Sequence, residues 1–182
     1  MESNTPLVIA GAKYATRQDA VDAYNVIWGA RHQGALDHTD IAILTKDANG
    51  ELQMERHDSA GKHLAWGGAL IGAALVIVAP PVGVAVAAAS TGAIAGVGGL
   101  VGHFWRNIPK AQLNELSDLL QSGESGVVVV AVNHKGVDIA PLLGKALESK
   151  VIETDAGDLD AVFSKALADA QTNRSKAASA AH

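Results

Sequence analysis

The chain has 182 residues, a net charge of −5 and no cysteine, so disulfides, thiolate catalysis and cysteine-based zinc sites are excluded. Its acidic balance argues against a general nucleic-acid binder, which needs a basic face to neutralise phosphates. Hydrophobic residues make up 48% but aromatics only 4%, and that length fits one ordinary domain with or without an insertion.

Met1 to Pro6 carries no positive n-region and no apolar h-region, so a cleaved secretory signal is not expected. Leu7 to Ala12 reads as a strand buried on both faces. Thr16 caps a helix whose Ala20, Val21, Tyr24, Ile27 and Trp28 recur at helical spacing, and Gly34 ends it. Asp40–Thr45 is a second strand. Asp47 to Gly50 is a hairpin turn, because Asn-Gly tolerates positive φ, and Glu51–Arg56 alternates like a strand with one wet face.

Residues Leu64 to Trp105 then run for 42 positions without Asp, Glu, Lys or Arg. Pro80-Pro81 breaks the run into two arms, which predicts a helical hairpin with that dipeptide at its turn. Arms of about 30 and 36 Å at 1.5 Å per residue match a hydrocarbon core of about 30 Å. Trp66, Phe104 and Trp105 sit at one level as interface anchors, with Lys62, Arg106 and Lys110 on the same, cytoplasmic side. Gly68 and Gly72, Gly92 and Gly96, and Gly98 and Gly102 are each four apart, the spacing of a glycine-zipper packing face. Ala and Gly are weakly lipophilic, so three surroundings suit the run: a bilayer, a core shared between subunits, or the core of one chain.

Beyond the run, Pro109 opens a helix with a Leu113–Leu116–Leu119–Leu120 stripe, which Gly123 stops. Val127–Val132 is the clearest strand. Val137–Leu147 is expected to be a short helix starting near Pro141, Lys150–Thr154 a strand, and Asp158–Ala170 a last helix. Residues 6–58 and 108–170 would form one domain, with 59–107 inserted and 171–182 a frayed tail. Without the insertion the order is strand–helix–strand–strand–helix–strand. That predicts an α+β, ferredoxin-like sandwich with an extra C-terminal helix–strand–helix, and a second pairing through the 126–154 unit gives an α+β sandwich equally well.

The layout resembles the bacterial and archaeal "domain of unknown function 1269" family of predicted membrane proteins. The resemblance rests on the Leu7-Val8-Ile9-Ala10 strand, the helix opening near Asp19-Ala20, the Asp40–Thr45 strand and the Asp47–Gly50 turn. The Gly/Ala-rich span 64–105, Leu116–Leu120 and Ser125-Gly126-Val127-Val128-Val129 complete it, over roughly residues 6–170. It implies a membrane-linked or self-associating role and no known activity.

Signs of chemistry are weak. From Gly96 the dinucleotide fingerprint has Gly98 third but Val101 sixth, and no Gly-Lys-Ser/Thr occurs. None of the seven histidines forms a His-Glu-x-x-His pair. His57 and His63 beside Asp58 could make at most a weak metal site, and His103, the one titratable group in the run, could sense pH. Asp155, Asp158 and Asp160 lack the glycine and the final Glu of a calcium loop, and Ser90, Ser122 and Ser125 lack a nucleophile elbow. The expectation is therefore a self-assembling structural or adaptor protein with no catalytic residue, cofactor or metal. Its partners would be itself and a lipid bilayer, at the cytoplasmic face of an inner membrane. The alternatives are a water-soluble cytoplasmic homo-oligomer and a small-ligand sensor or enzyme using the sheet face.

Overall fold

The computed structural model describes residues 5–58 and 108–155, together with the single positions Leu75, Gly157, Ala161, Ala168 and Thr172. These residues form a mixed α/β body. Strand β1 is Pro6–Tyr14, helix α1 Arg17–His32, β2 Asp37–Lys46, β3 Leu52–Asp58, α2 Lys110–Ser122, β4 Ser125–Val132 and β5 Glu148–Asp155. The five strands make one antiparallel sheet in the order β3-β2-β4-β1-β5.

The two central strands explain their own sequence. Leu7 to Ala12 and Val127 to Val132 are continuous apolar runs because both faces of β1 and β4 are covered, and their apolar side chains are almost wholly inaccessible. One face receives α1. There Val8, Ala10, Ala12 and Tyr14 of β1 join Ile41, Ile43, Val127 and Val129 against Ala20, Ala23, Tyr24 and Ile27. The residues between them point the other way, since side chains alternate along a strand. On that second face a Cβ at Gly11 would overlap Leu116 of α2, and one at Gly126 would lie 2.9 Å from Leu120 Cδ2. The helices therefore lie on opposite faces, a helix–sheet–helix arrangement.

This differs from the expected ferredoxin-like sandwich in a specific way. Leaving out β3, the order β2-β4-β1-β5 keeps two split connections, β1 to β2 around β4 and β4 to β5 around β1. A ferredoxin-like sandwich, though, keeps its helices on one face. Here the second crossover holds only the 3-10 turn Ala140–Leu143, not the expected 137–147 helix. The Asp138 carboxylate accepts from the Ala140 amide at 3.1 Å, and Gly144 at φ 59° turns the chain toward β5. Asn133 braces the same loop, its side chain exchanging hydrogen bonds with the Val137 amide and carbonyl at 2.9 Å each.

Local chemistry sets the boundaries. Thr16 Oγ1 accepts from the Asp19 amide at 3.2 Å and donates to Asp19 Oδ2 at 2.6 Å, capping α1 as its sequence predicts. Gly123 ends α2, as its sequence predicts, in an extended conformation at φ −92°. Its need for glycine is steric, because a Cβ there would lie 2.7 Å from Lys13 Cβ.

In the β2–β3 hairpin, Asp47 Oδ1 accepts from the Asn49 and Glu51 amides at 2.8 and 3.0 Å. Those two bonds, the one from Glu51 first, hold the Asp47 carboxyl below its ordinary range. A lowered carboxylate pKa stabilises the fold above the unfolded value, and this contribution fades as pH falls through the folded one. Asp47→Ala is expected to lower the urea midpoint at neutral pH. Its deficit against the parent should shrink below about pH 4, and a deficit that persists in acid would exclude the carboxylate as the cause.

Candidate functional site

The most organised polar cluster lies where the chain leaves β3 for the uncharged run. Arg56 and Asp58 sit opposite Ile43 and Ile41, so both point to the α1 side of the edge strand. Tyr24 of α1 donates its hydroxyl to Asp58 Oδ2, the Arg56 guanidinium lies 4.4 Å above the Tyr24 ring, and Arg56 Nη2 is 3.5 Å from Asp58. The β2–β3 register slips between Ile43 and Leu44, leaving Glu55 as the extra residue. Such a bulge re-aims a side chain, and Glu55 pairs with Arg17 at the start of α1. The end of β3 is thus fastened to α1 by the Arg17–Glu55 ion pair and by buried Tyr24, which holds Asp58 and lies under Arg56. The chain's return after the run, at Ile108, is almost fully buried.

A second feature is an open groove of about 420 Å³ between α2 and β5, lined by Glu115, Asp118, Ser122, Glu148 and Lys150. Three of its four charged lining residues are already paired. Lys150 pairs with Glu115, while Lys13 Nζ lies 2.7 Å from Glu148 and 3.2 Å from Ser122 Oγ. These are links between α2 and the sheet edge, each exposed pair worth about 0–1 kcal/mol.

The other candidates resolve as follows. Ser122 donates to the Leu119 carbonyl at 2.9 Å and Ser125 is buried in β4, both as structural groups. Asp155 accepts from the Gly157 amide at 2.7 Å in a tight turn. His134 Nδ1 stands 3.2 Å from Asp37 Oδ2, at the end of the sheet where β2 begins and β4 ends. Among the described residues no group of three or more His, Asp or Glu is arranged to hold a metal ion.

The glycines Gly68, Gly72, Gly92, Gly96, Gly98 and Gly102 lie outside the described residues. So do Trp66, Phe104, Trp105, Lys62, Arg106, Pro80, Pro81, His63, His103, Ser90, Asp158 and Asp160, and the side chain of His57. The membrane, transmembrane-helix, helical-hairpin and glycine-zipper expectations are corrected by what is described. The described part is mostly sheet, and the two helices described in full, of 16 and 13 residues, are α1 and α2. No helix among the described residues is long and apolar enough to cross a membrane. At 1.5 Å per residue they reach about 24 and 20 Å, short of the roughly 30 Å required, and both carry charged outer sides.

Sequence reasoning missed the Tyr24–Arg56–Asp58 cluster. Its signal was there: two charges at i and i+2 on the strand parity that faces α1, beside a tyrosine on that helix's inner stripe. No family model, curated protein or solved structure matches the chain. The resemblance read from element order and texture is therefore carried by the sequence alone.

Proposed function

We propose that the chain is a structural or adaptor protein that assembles with copies of itself, the uncharged run being the element that meets the second copy. One observation carries this reading. A run of 42 residues without Asp, Glu, Lys or Arg, from 64 to 105, is spliced between β3 and α2. Such a run has no charged side to give to water. However much of it rests on its own domain, its remaining sides call for a further apolar surface, and a second copy offers an equally uncharged one. The end of β3, six residues before the run, is itself anchored, since Asp58 is fastened to α1 through Tyr24.

A ligand site on the sheet face is less favoured. Both faces are lined by side chains at or near zero accessibility, from Val8 and Ile43 on one side to Ile9 and Leu44 on the other.

Sedimentation analysis of the full chain without detergent tests the proposal. A mass that is a whole multiple of the monomer, and that falls on Gly96→Leu substitution, is the expected result. A chain that stays monomeric at all concentrations sinks it.

A further inference from the structure

Of the chain's seven asparagines only Asn49 precedes a glycine. The pair forms the tip of the β2–β3 hairpin, and both residues are exposed. Gly50 holds φ 80°, a backbone state that an Asn-Gly turn tolerates. The Asn49 carboxamide has no hydrogen-bond partner among the described residues. Asn133 is the opposite case, with its side chain tied to both the amide and the carbonyl of Val137.

These features meet the demands of one reaction, intramolecular deamidation. The attacking group is the main-chain nitrogen of the following residue, and glycine leaves that nitrogen open because it has no Cβ. An unpartnered carboxamide is free to turn its Cγ toward the nitrogen. The turn also restrains the reaction. The Gly50 N–H donates to the Asp47 carbonyl at 3.0 Å, and Asp47 Oδ1 holds the amides of Asn49 and Glu51. The Gly50 nitrogen must give up this hydrogen before it can attack.

We infer that Asn49 is a site of self-modification by deamidation, slowed by the turn that Asp47 holds, and that its conversion frees the near half of edge strand β3. The Gly50 nitrogen loses its proton and bonds to Asn49 Cγ. The bond from Cγ to the carboxamide nitrogen breaks, and ammonia leaves with the proton. Water then opens the five-membered imide. Opening at Cγ gives aspartate, while opening at the main-chain carbonyl leaves Gly50 joined to Cγ as isoaspartate. Nothing is oxidised or reduced.

The consequence follows from how β3 is held. Among the described residues its one strand neighbour is β2. Near the turn it depends on the Lys46–Leu52 and Thr45–Gln53 pairings. Beyond the bulge, Arg17 holds Glu55 and Tyr24 holds Asp58. Isoaspartate adds one atom to the backbone at the tip and a carboxylate beside Asp47 and Glu51. The disturbance therefore reaches residues 52–54 and stops at the bulge. No residue of the uncharged run takes part, so the inference stands apart from self-assembly.

Ageing the full chain at mildly alkaline pH, with every asparagine followed by peptide mass spectrometry, tests it. Asn49 should exchange NH for O faster than the other six, with isoaspartate among the products. An intact Asn49, or equal conversion at all seven, overturns the assignment. Asp47→Ala should speed conversion at Asn49 by about two- to tenfold, the factor for one hydrogen bond of ordinary net strength. Asn133 should stay unchanged in the same sample. An unchanged rate at Asn49, or a matching rise at Asn133 from global opening, overturns the restraint by the turn. In the aged chain amide exchange should rise at Gln53 and Met54 and not at Arg56, and an even rise along β3, or none, overturns the release. Asn49→Gln, whose longer side chain must close a larger ring, should show neither change. Equal ageing of that variant overturns the proposal as a whole.

Discussion

Leu116→Ala is expected to lower the unfolding free energy by about 2–5 kcal/mol, and Gly11→Ala by about 1–3 kcal/mol. The double variant should lose clearly less than the sum of the two. The reason is the way α2 approaches the sheet. Leu116 and Leu120 stand one helical turn apart and are both fully buried, and each descends onto a strand residue with no side chain. Leu116 occupies the place of a Gly11 Cβ, and Leu120 Cδ2 crowds that of Gly126. Removing the leucine opens a cavity whose cost depends on how far the site can collapse. Adding a methyl at Gly11 with the leucine present forces α2 outward, or drives Leu116 out of its rotamer. Put together, the new methyl enters the space the leucine left. A double-mutant cycle read from urea unfolding measures the coupling. Strict additivity would mean that Gly11 and Leu116 do not share this space.

The same two glycines show what was legible in the sequence and what was not. The strands themselves could be read, because a continuous Val127–Val132 run and the Leu7–Ala12 run need cover on both sides, and the Asp47–Gly50 turn declared its hairpin. The Thr16 cap was legible from its side-chain chemistry alone. The side of the sheet taken by α2 was not. A leucine stripe states that a helix has an inner side, not which face receives it. Gly11 and Gly126 held the only local hint, since glycine inside a strand often marks a close approach. Val137–Leu147 misled because its apolar spacing fits a helix, whereas Pro141, the Asp138 carboxylate on the Ala140 amide and positive-φ Gly144 confine it to one tight turn. The charged cluster at Asp58 was passed over for a related reason. Charges on an edge strand ordinarily mark a wet surface that discourages further pairing, and only the bulge at Glu55 and the packing of Tyr24 turn them inward.

Tyr14→Phe is expected to cost about 1–3 kcal/mol at neutral pH and to remove an alkaline instability that the parent chain carries. Tyr14 ends β1 fully buried, and its hydroxyl donates to the Leu143 carbonyl at 2.7 Å, tying the 3-10 turn to the sheet. Phenylalanine keeps the ring but leaves that carbonyl without its donor. Burial, helped by the negative charge of Asp19, pushes the Tyr14 phenol well above its ordinary value near 10. Above that pH the unfolded chain releases the proton while the folded chain retains it. The unfolded state then binds fewer protons, and stability falls as pH rises. The contribution is complete below about pH 10 and is lost on the way to the higher folded value. The gap between parent and Tyr14→Phe should therefore narrow by about 1.4 kcal/mol per pH unit in that window. Urea unfolding at stepped alkaline pH, read by backbone circular dichroism, gives both curves. Phenolate absorbance on the same samples should show one of the chain's two tyrosines ionising only with unfolding. Parallel curves, with the gap unchanged above pH 10, would mean that the Tyr14 proton is not held by the fold, and the cost of substitution at neutral pH would then lie in packing alone.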